Sequence, residues 1–244
     1  MKLQIIGCGD ALGSGGRFNT CFHVTGERVN FLIDCGASAL LALKRFGIDR
    51  QAIDLVLITH FHGDHFAGLP FLLLDAQFTR RTRPLVVAGP RGTPERLTQV
   101  MEALYEHSSK TEQRFALSVI ELEPQQVREF GGVQVTPFPV IHGESGGPFL
   151  AYRIEAEGRT ICYSADTEWT ATLIPAARHA DLFICEAYYY DRIVKNHLSL
   201  KTLEQHLGEL SPKKLVLTHM SDDMLDRLDQ LSHTAASDGM VIEL

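Results

Sequence analysis

The sequence predicts an α/β protein in which two β-sheets pack face to face with helices on their outer sides, a four-layer αββα sandwich. Short apolar runs of strand length recur along the whole chain, and segments with helical spacing of apolar residues lie between several of them. No internal repeat, low-complexity tract or linker divides the 244 residues. We therefore expect one domain spanning residues 1–244, which is long enough to bury a substantial core.

The predicted strands are rich in aliphatic and aromatic residues, which favour the pleated and half-buried surface of a sheet. They are Leu3–Ile6, Phe22–Thr25, Val29–Asp34, Leu55–Thr59, Leu85–Ala88, Val133–Val140, Leu150–Glu155, Thr160–Ser164, Leu182–Cys185, Leu215–Thr218 and Met240–Leu244.

The predicted helices are longer segments with apolar residues at spacings of three and four. They are Ala37–Phe46, Phe66–Phe78, Pro94–His107, Leu200–Leu210 and Asp223–Leu231. Ser199 is placed to cap the helix that starts at Leu200. The glycine-rich segment 7–16 lacks the third glycine of a dinucleotide-binding motif, because position 12 is Leu. We interpret this segment as a loop that folds over the cleft.

The composition is that of an ordinary globular protein, with 45% hydrophobic residues, 22% charged residues and a formal net charge of −7. This acidic balance argues against a protein that coats nucleic acid. No apolar run is long enough to span a membrane, and the first residues read as a strand rather than a signal peptide. The five cysteines form no C-x-x-C pair. We interpret them as reduced core thiols of a cytoplasmic protein.

The strongest functional signal is the segment Thr59-His60-Phe61-His62-Gly63-Asp64-His65, which directly follows a predicted buried strand. An extended backbone points His60 and His62 to the same side. Gly63 permits a turn, after which Asp64 and His65 begin a predicted helix. Imidazole nitrogen and carboxylate oxygen bind Zn²⁺ and similar ions, and two ligand groups on one loop fit two adjacent ions better than one. Without a cation, such side chains buried together would repel one another or stay unsatisfied.

Three further candidate ligands each follow the carboxyl end of another predicted strand. They are His142, Asp166 and His219. Strand ends are where a sheet gathers side chains from distant parts of the chain into one cleft. The recurrence of this pattern predicts that all three join the loop in a single site.

Together these residues resemble the complete ligand set of the metallo-β-lactamase superfamily, whose fold is the αββα sandwich. The resemblance covers nearly the whole chain. The segment Leu32-Ile33-Asp34-Cys35-Gly36 resembles the early motif in which the Asp supports the metal loop. Three more segments resemble the tRNase Z-like phosphodiesterase branch: Phe183-Ile184-Cys185-Glu186-Ala187, His197-Leu198-Ser199 and Leu217-Thr218-His219-Met220-Ser221.

This resemblance implies two divalent metal ions, with Zn²⁺ preferred and Mn²⁺ or Fe²⁺ as alternatives. One ion is expected on His60, His62 and His142. The other is expected on Asp64, His65 and His219, with Asp166 as the bridge. Each ion would keep an open position, as catalytic metals do. A hydroxide shared between the two ions would then be the nucleophile.

His197 is expected either to donate a proton to the leaving oxygen or to place a positive charge near the phosphate. The alternative is a surface histidine beside the start of a helix. Glu186 is expected to orient His197 and raise its pKa. Asp64 is expected to act both as a ligand and as a proton acceptor.

The expected substrate is a small phosphodiester, such as a cyclic nucleotide. In tRNase Z the arm that grips tRNA lies between the positions of His142 and Asp166, and that segment is too short here for such an arm. Hydrolysis of a sulfate ester, thioester or lactone, 3′ processing of tRNA, and non-catalytic binding on this fold remain alternatives. A homodimer also stays open. A basic patch, formed by Arg80, Arg81 and Arg83, is either a contact for substrate or a solvated loop.

Overall fold

The computed structural model of the chain describes residues 1–144 and 147–244. The strands are β1 (Lys2–Gly7), β2 (Cys21–Thr25), β3 (Asn30–Ile33), β4 (Leu55–Leu57), β5 (Leu85–Gly89), β6 (Leu117–Glu121), β7 (Arg128–Phe130), β8 (Val133–Pro139), β9 (Leu150–Ala156), β10 (Arg159–Tyr163), β11 (Leu182–Glu186), β12 (Leu215–Thr218), β13 (Thr234–Ala235) and β14 (Val241–Glu243). The helices are α1 (Ala39–Arg45), α2 (Gly63–Phe66), α3 (Leu69–Phe78), α4 (Thr93–Leu104), α5 (Leu173–Ala177), α6 (Leu200–Leu210) and α7 (Asp222–Leu225).

The strands form two sheets with the orders β14-β1-β2-β3-β4-β5-β6 and β13-β12-β11-β10-β9-β8-β7. The two sheets are built alike. In the first, β14 to β3 pair antiparallel and β3 to β6 pair parallel. In the second, β7 to β10 pair antiparallel and β10 to β13 pair parallel. The carboxyl ends of the parallel strands therefore gather at one edge of each sheet.

Successive side chains of a strand point to opposite faces of its sheet. Apolar residues on both faces therefore form separate apolar layers. In β4, Leu55 and Leu57 join a core cluster with residues of both sheets, such as Phe31 of the first sheet and Ile184 of the second. Val56 between them faces the other way and packs with residues of α1 and α3. A third cluster lies between the second sheet and the helices α5 and α6. These three apolar layers separate four layers of secondary structure, and this confirms the αββα prediction.

Every predicted strand is present, with ends shifted by at most two residues. The strands β6, β7 and β13 and the helix α5 were not predicted. The prediction of one continuous helix Phe66–Phe78 is wrong, because the chain breaks between α2 and α3. At this break the Gly68 amide donates to the carbonyl of Cys35 at 2.9 Å. A Cβ atom at Gly68 would lie 2.0 Å from the carbonyl oxygen of Gly36, so only glycine fits.

The predicted helix Asp223–Leu231 is also wrong in its second half. Helix α7 ends at Leu225, and a separate 3₁₀ turn covers Leu228–Gln230. All five cysteines are buried free thiols, which confirms their interpretation as core residues. Among the helices of the described residues, none combines the length and the apolar character needed to cross a membrane.

Candidate metal centre

The loop after β4 carries the histidine-rich motif at the edge where the parallel strands end. His60 lies on the extended stretch beyond Leu57 and is fully buried. His62 is exposed and stands at the N-terminus of α2, which contains Asp64 and His65. The rings of His60 and His62 lie 4.7 Å apart, and both lie within 5.0 Å of the His142 ring. The two histidines therefore face the same side, as their spacing predicted.

The second sheet supplies the remaining candidates from strand ends at the same edge. His142 follows β8, Asp166 follows β10 and His219 follows β12. Backbone turns orient Asp166 and His219. Ala165, directly before Asp166, has a positive φ angle of 53°, and His219 itself has a φ angle of 55°. The His219 amide also donates to the carbonyl of Cys8 at 3.1 Å, and this hydrogen bond fixes the turn against the first sheet. Both sheets thus contribute to one site.

The seven side chains form two adjacent groups. His60, His62 and His142 make one group; Asp64, His65, Asp166 and His219 make the other. Within each group the potential ligand atoms all lie within 4.8 Å of one another.

Asp166 connects the two groups. Its Oδ2 atom lies 3.9 Å from Nε2 of His60 and 3.5 Å from Nε2 of His142. The same oxygen lies 3.2 Å from Nε2 of His65 and 3.3 Å from Nε2 of His219. One carboxylate oxygen is therefore surrounded by four imidazole nitrogens, two from each group. This is the arrangement expected of a carboxylate shared between two neighbouring cations.

Hydrogen bonds behind the cluster orient its imidazoles. Nδ1 of His65 lies 2.7 Å from Oδ2 of Asp34, a buried carboxylate that also accepts from the amide and hydroxyl of Thr59. Nδ1 of His142 lies 2.7 Å from the carbonyl oxygen of Asn196. Such partners fix the ring and leave Nε2 free to bind a metal. Asp34 thus occupies the supporting position that its motif predicted.

The chemistry of the cluster fits divalent cations. Among the described residues, neither Nε2 of His60 nor Oδ1 of Asp166 has a hydrogen-bond partner, although both atoms are buried. Buried polar atoms without partners are costly, and a bound cation would satisfy both. Burial lowers the pKa of His60, and it lowers that of His142 to about 4. Both imidazoles are therefore neutral at pH 7 and ready to bind metal.

His65 and His219 differ from these two histidines because carboxylates surround them. Burial alone would lower the pKa of each ring, but the charge of Asp166 and contacts with Asp64 outweigh it. The result is a pKa well above the usual range for His65 and a pKa of about 9 for His219. Without metal, protons on these two rings balance the carboxylates.

Chelator-treated protein should lose stability as the pH rises from about 6.5 to about 9. A raised pKa in the folded state means that the folded protein holds protons that the unfolded chain releases above about 6.5. The resulting stabilisation is complete below that pH and disappears as His219 titrates. Melting temperatures of chelated and metal-loaded protein across this range provide the measurement, and the loaded sample should be much less sensitive. A chelated protein whose melting temperature rises with pH would contradict this electrostatic account.

Glu186 and His197 form a second pair at the rim of the cluster. Glu186 ends β11, is fully buried, and accepts hydrogen bonds from the amides of Thr167 and Leu198. Its Oε2 atom lies 2.9 Å from Nδ1 of His197. Burial lowers the pKa of His197. The hydrogen bond to Glu186 and the negative charge of Glu186 outweigh burial and raise the pKa of His197 above the usual value. Glu186 thus contacts His197 as predicted, while the chemical role of the pair stays a prediction.

A cleft of about 410 Å³ opens onto these side chains. Its wall includes His62, Asp64, His142, Asp166, His197 and His219. Ala11 from the glycine-rich segment also lines it, so that segment does reach the cleft. Tyr188 and Asn196 also line the cleft, and sequence reasoning missed both.

The basic patch does not belong to this wall. Arg81 is buried, and its guanidinium donates to the carbonyls of Arg50, Ile53, Arg83 and Pro84. The alternative of a solvated loop is therefore wrong for Arg81, because a guanidinium that satisfies four carbonyls is part of the structure. Arg83 pairs with Asp54 at the surface.

Known proteins share this fold and sequence. Ribonuclease Z of Agathobacter rectalis is 29% identical, and the match covers 92% of this chain and 89% of that protein. The structure of human tRNase Z, short form, is 25% identical with a TM-score of 0.80 and covers 100% of this chain and 99% of that one. A diphosphatase of the PhnP family is 21% identical with a TM-score of 0.79, covering 100% of this chain and 97% of that one.

The αββα fold with its His/Asp cluster defines a metal-dependent, phosphodiesterase-like hydrolase of the metallo-β-lactamase superfamily, in its tRNase Z-like branch. Within that class, a family model described as anti-Pycsar protein Apyc1 matches residues 1–237, and the chain belongs to this family.

Proposed function

We propose that this chain, as one domain over residues 1–244, is a two-metal phosphodiesterase that hydrolyses a small phosphodiester such as a cyclic nucleotide. The observation that carries the proposal is the position of Asp166, whose Oδ2 atom lies 3.2 to 3.9 Å from imidazole nitrogens of both ligand groups. A single buried ion would leave part of this cluster unsatisfied. Two ions use every member of it.

In this proposal the first ion is held by His60, His62 and His142. Asp64, His65 and His219 would hold the second, and Asp166 would lie between them as a shared ligand. Zn²⁺ suits these nitrogen and oxygen ligands best, with Mn²⁺ and Fe²⁺ as alternatives. When bound, the ions lower the pKa of a coordinated water toward neutrality and offset the negative charge of the phosphodiester.

Side chains and one backbone carbonyl of the protein orient the metal ligands, and two other side chains transfer protons. Asp34 and the Asn196 carbonyl hold the rings of His65 and His142 in place. Asp64 accepts the proton of the attacking water. The water oxygen bonds to phosphorus and the P–O bond to the leaving group breaks. Nε2 of His197 gives its proton to the leaving oxygen, while Glu186 holds the opposite nitrogen of that ring.

The size of the site favours a small substrate over tRNA. A cleft of about 410 Å³ matches the volume of ordinary small-molecule sites. Strand β8 ends at Pro139 and β9 begins at Leu150, so the connection that would carry an arm is short. The match to ribonuclease Z runs over 276 residues, more than the 244 of this chain, so the relative contains segments that this chain lacks.

The protein should not process precursor tRNA efficiently, because the sequence between His142 and Asp166 is too short for a long arm that grips tRNA. The measurement is 3′-end cleavage of a precursor tRNA, with hydrolysis of bis-p-nitrophenyl phosphate by the same preparation as the control. Relatives named ribonuclease Z make tRNA the second candidate substrate. Robust, site-specific tRNA cleavage would reject the small-substrate proposal and require another surface for the RNA.

The reaction class itself can be tested with one chromophore. Rates on bis-p-nitrophenyl phosphate should exceed those on p-nitrophenyl acetate, on p-nitrophenyl sulfate and on lactone or thioester reporters. The aryl reporters all release p-nitrophenolate, so differences between their rates reflect the group that is attacked rather than the leaving group. A preference for a carboxylic or sulfate ester would replace the phosphodiester proposal with the corresponding esterase. Hydrolysis rates on cyclic nucleotides and on linear dinucleotides then show which kind of phosphodiester the protein prefers.

Metal-replete protein should contain about two transition-metal ions per chain, because the ligands form two groups. His65→Ala should empty the second site preferentially and leave about one ion per chain. Elemental analysis of the wild type, of this variant and of the exposed control His107→Asn measures both effects. One ion or none in the wild type would reject the two-metal proposal.

We also propose that the protein works in a reducing compartment such as the cytoplasm. All five cysteines are buried and unpaired. Proteins of oxidising compartments more often pair their cysteines as disulfides.

A further inference from the structure

The ring of Tyr188 lies flat against the imidazole of His197. Their centroids are 4.3 Å apart, and the ring planes differ by 20°. Tyr188 also approaches His219, at 5.8 Å between centroids. It lines the cleft directly after β11, two residues beyond Glu186. The segment from Glu186 to Tyr188 therefore contacts the His197 imidazole twice, through Oε2 of Glu186 and through the ring of Tyr188.

The backbone of Tyr188 is fixed on both sides. Its amide donates to the carbonyl of Leu198 at 2.9 Å, and its carbonyl accepts from the amide of Ser221 at 3.1 Å. The first bond ties it to the segment that carries His197. The second ties it to the turn that follows His219. The ring thus has a defined position relative to both histidines.

The two residues after Tyr188 anchor the same segment. The Tyr189 carbonyl accepts from the amide of Leu200 at 2.8 Å. The ring of Tyr190 lies between two cations, with Lys201 at 5.0 Å and Arg227 at 5.3 Å from its centroid. Cation–π contacts of this kind stabilise a surface aromatic side chain. Backbone hydrogen bonds and side-chain contacts therefore hold the run of three tyrosines against its neighbours.

His197 needs such a support because its hydrogen bond to Glu186 fixes only one point of the ring. That contact holds Nδ1, but the ring can still tilt through small rotations about the Cα–Cβ and Cβ–Cγ bonds of His197. Its side chain is 21% exposed, so surrounding atoms enclose it only in part. The flat face of Tyr188 covers one face of the imidazole and restricts this tilt, because stacked aromatic rings favour nearly parallel planes.

We propose that Tyr188 is a positioning residue that acts through His197, setting the plane of the imidazole so that Nε2 faces the leaving oxygen. This inference rests on the proposed proton-donor role of His197. Tyr188 itself transfers no proton in this proposal. Its aromatic face, rather than its hydroxyl, is the part that matters.

The test compares Tyr188→Ala, Tyr188→Leu and Tyr188→Phe on diesters with a poor alkoxide leaving group and with p-nitrophenolate. Tyr188→Ala should lower kcat on the poor leaving group by on the order of 10- to 100-fold, as expected for a misplaced catalytic group. The loss should be much smaller with p-nitrophenolate. Tyr188→Phe should keep near wild-type rates, whereas Tyr188→Leu, which keeps bulk without a flat face, should resemble Ala. Metal content and melting temperature of each variant verify the fold.

A double-mutant cycle separates this inference from the function on which it rests. In the His197→Ala background, Tyr188→Ala should cause no further loss of kcat, because the group that it positions is gone. A further loss, an equal loss with both leaving groups, or a Tyr188→Phe variant as poor as Ala would overturn the positioning role. If His197→Ala alone shows no dependence on the leaving group, the proton-donor proposal itself fails.

Discussion

Replacing Asp166 with Ala should remove metal and abolish hydrolysis together. The carboxylate oxygen lies among the Nε2 atoms of four histidines and so connects the two groups. Its loss would also remove the negative charge that offsets the two proposed cations in a buried site. Residues that only support metal ligands cost 10- to 100-fold when mutated, so a shared ligand should cost at least about 100-fold.

Elemental analysis and the rate on bis-p-nitrophenyl phosphate measure the two effects of Asp166→Ala in one preparation. Asp229→Ala is the matched control, because Asp229 is exposed and outside the cleft. Asp166→Asn adds a variant of nearly the same volume without the charge. It should also lose metal, because a neutral amide cannot balance the cations. Two ions per chain in either Asp166 variant would mean that this carboxylate does not bridge them.

The site was predictable because its signals are local. The loop from His60 to His65 places four candidate ligands within six residues after a strand, and strand ends follow from apolar runs alone. Each remaining candidate also follows such a run. The parallel pairing of β10, β11 and β12 then brings those ends to one edge. The local sequence pattern and the geometry of a parallel sheet together were enough to predict the seven candidate ligands as one cluster.

The strands that sequence reasoning missed share one position. β6, β7 and β13 each lie at the edge of a sheet. Edge strands are covered on fewer sides and are often short and charged. Arg128 and Glu129 in β7 are exposed, and β13 is two residues long. Such segments lack the apolar run that marks a central strand, so their pairing becomes visible only in three dimensions.

Tyr188, Asn196 and Arg81 escaped prediction for a related reason. Asn196 acts through its backbone carbonyl, which carries no sequence signal. Tyr188 meets His197 only because the segments around Leu198 and Ser221 fold back onto it. Arg81 reads as part of a basic surface loop, yet its guanidinium donates to four carbonyls, two in residues 50–53 and two in residues 83–84. Tertiary contacts decided all three positions.

The surroundings of His197 support the proposal that it transfers a proton. Its imidazole is partly exposed in the cleft, its Nδ1 atom is occupied by Glu186, and its ring lies 4.9 Å from that of His142. The buried carboxylate raises its pKa, so a larger fraction of the ring carries a proton at neutral pH than in a free histidine. A proton donor beside the metal cluster is needed most when the leaving oxygen is strongly basic.

His197→Ala should lower kcat by about 10²- to 10⁴-fold on diesters with a poor leaving group, the usual contribution of general acid catalysis. The loss should shrink with p-nitrophenolate, which leaves without needing a proton. Both metal ions and the melting temperature should stay near the wild type, because the seven proposed ligands remain. Steady-state rates on the two substrates, with elemental analysis of the same samples and His107→Asn as control, measure this. A variant that loses metal, or that keeps full activity on poor leaving groups, would show that His197 is not the donor and that the proton comes from another group in the cleft.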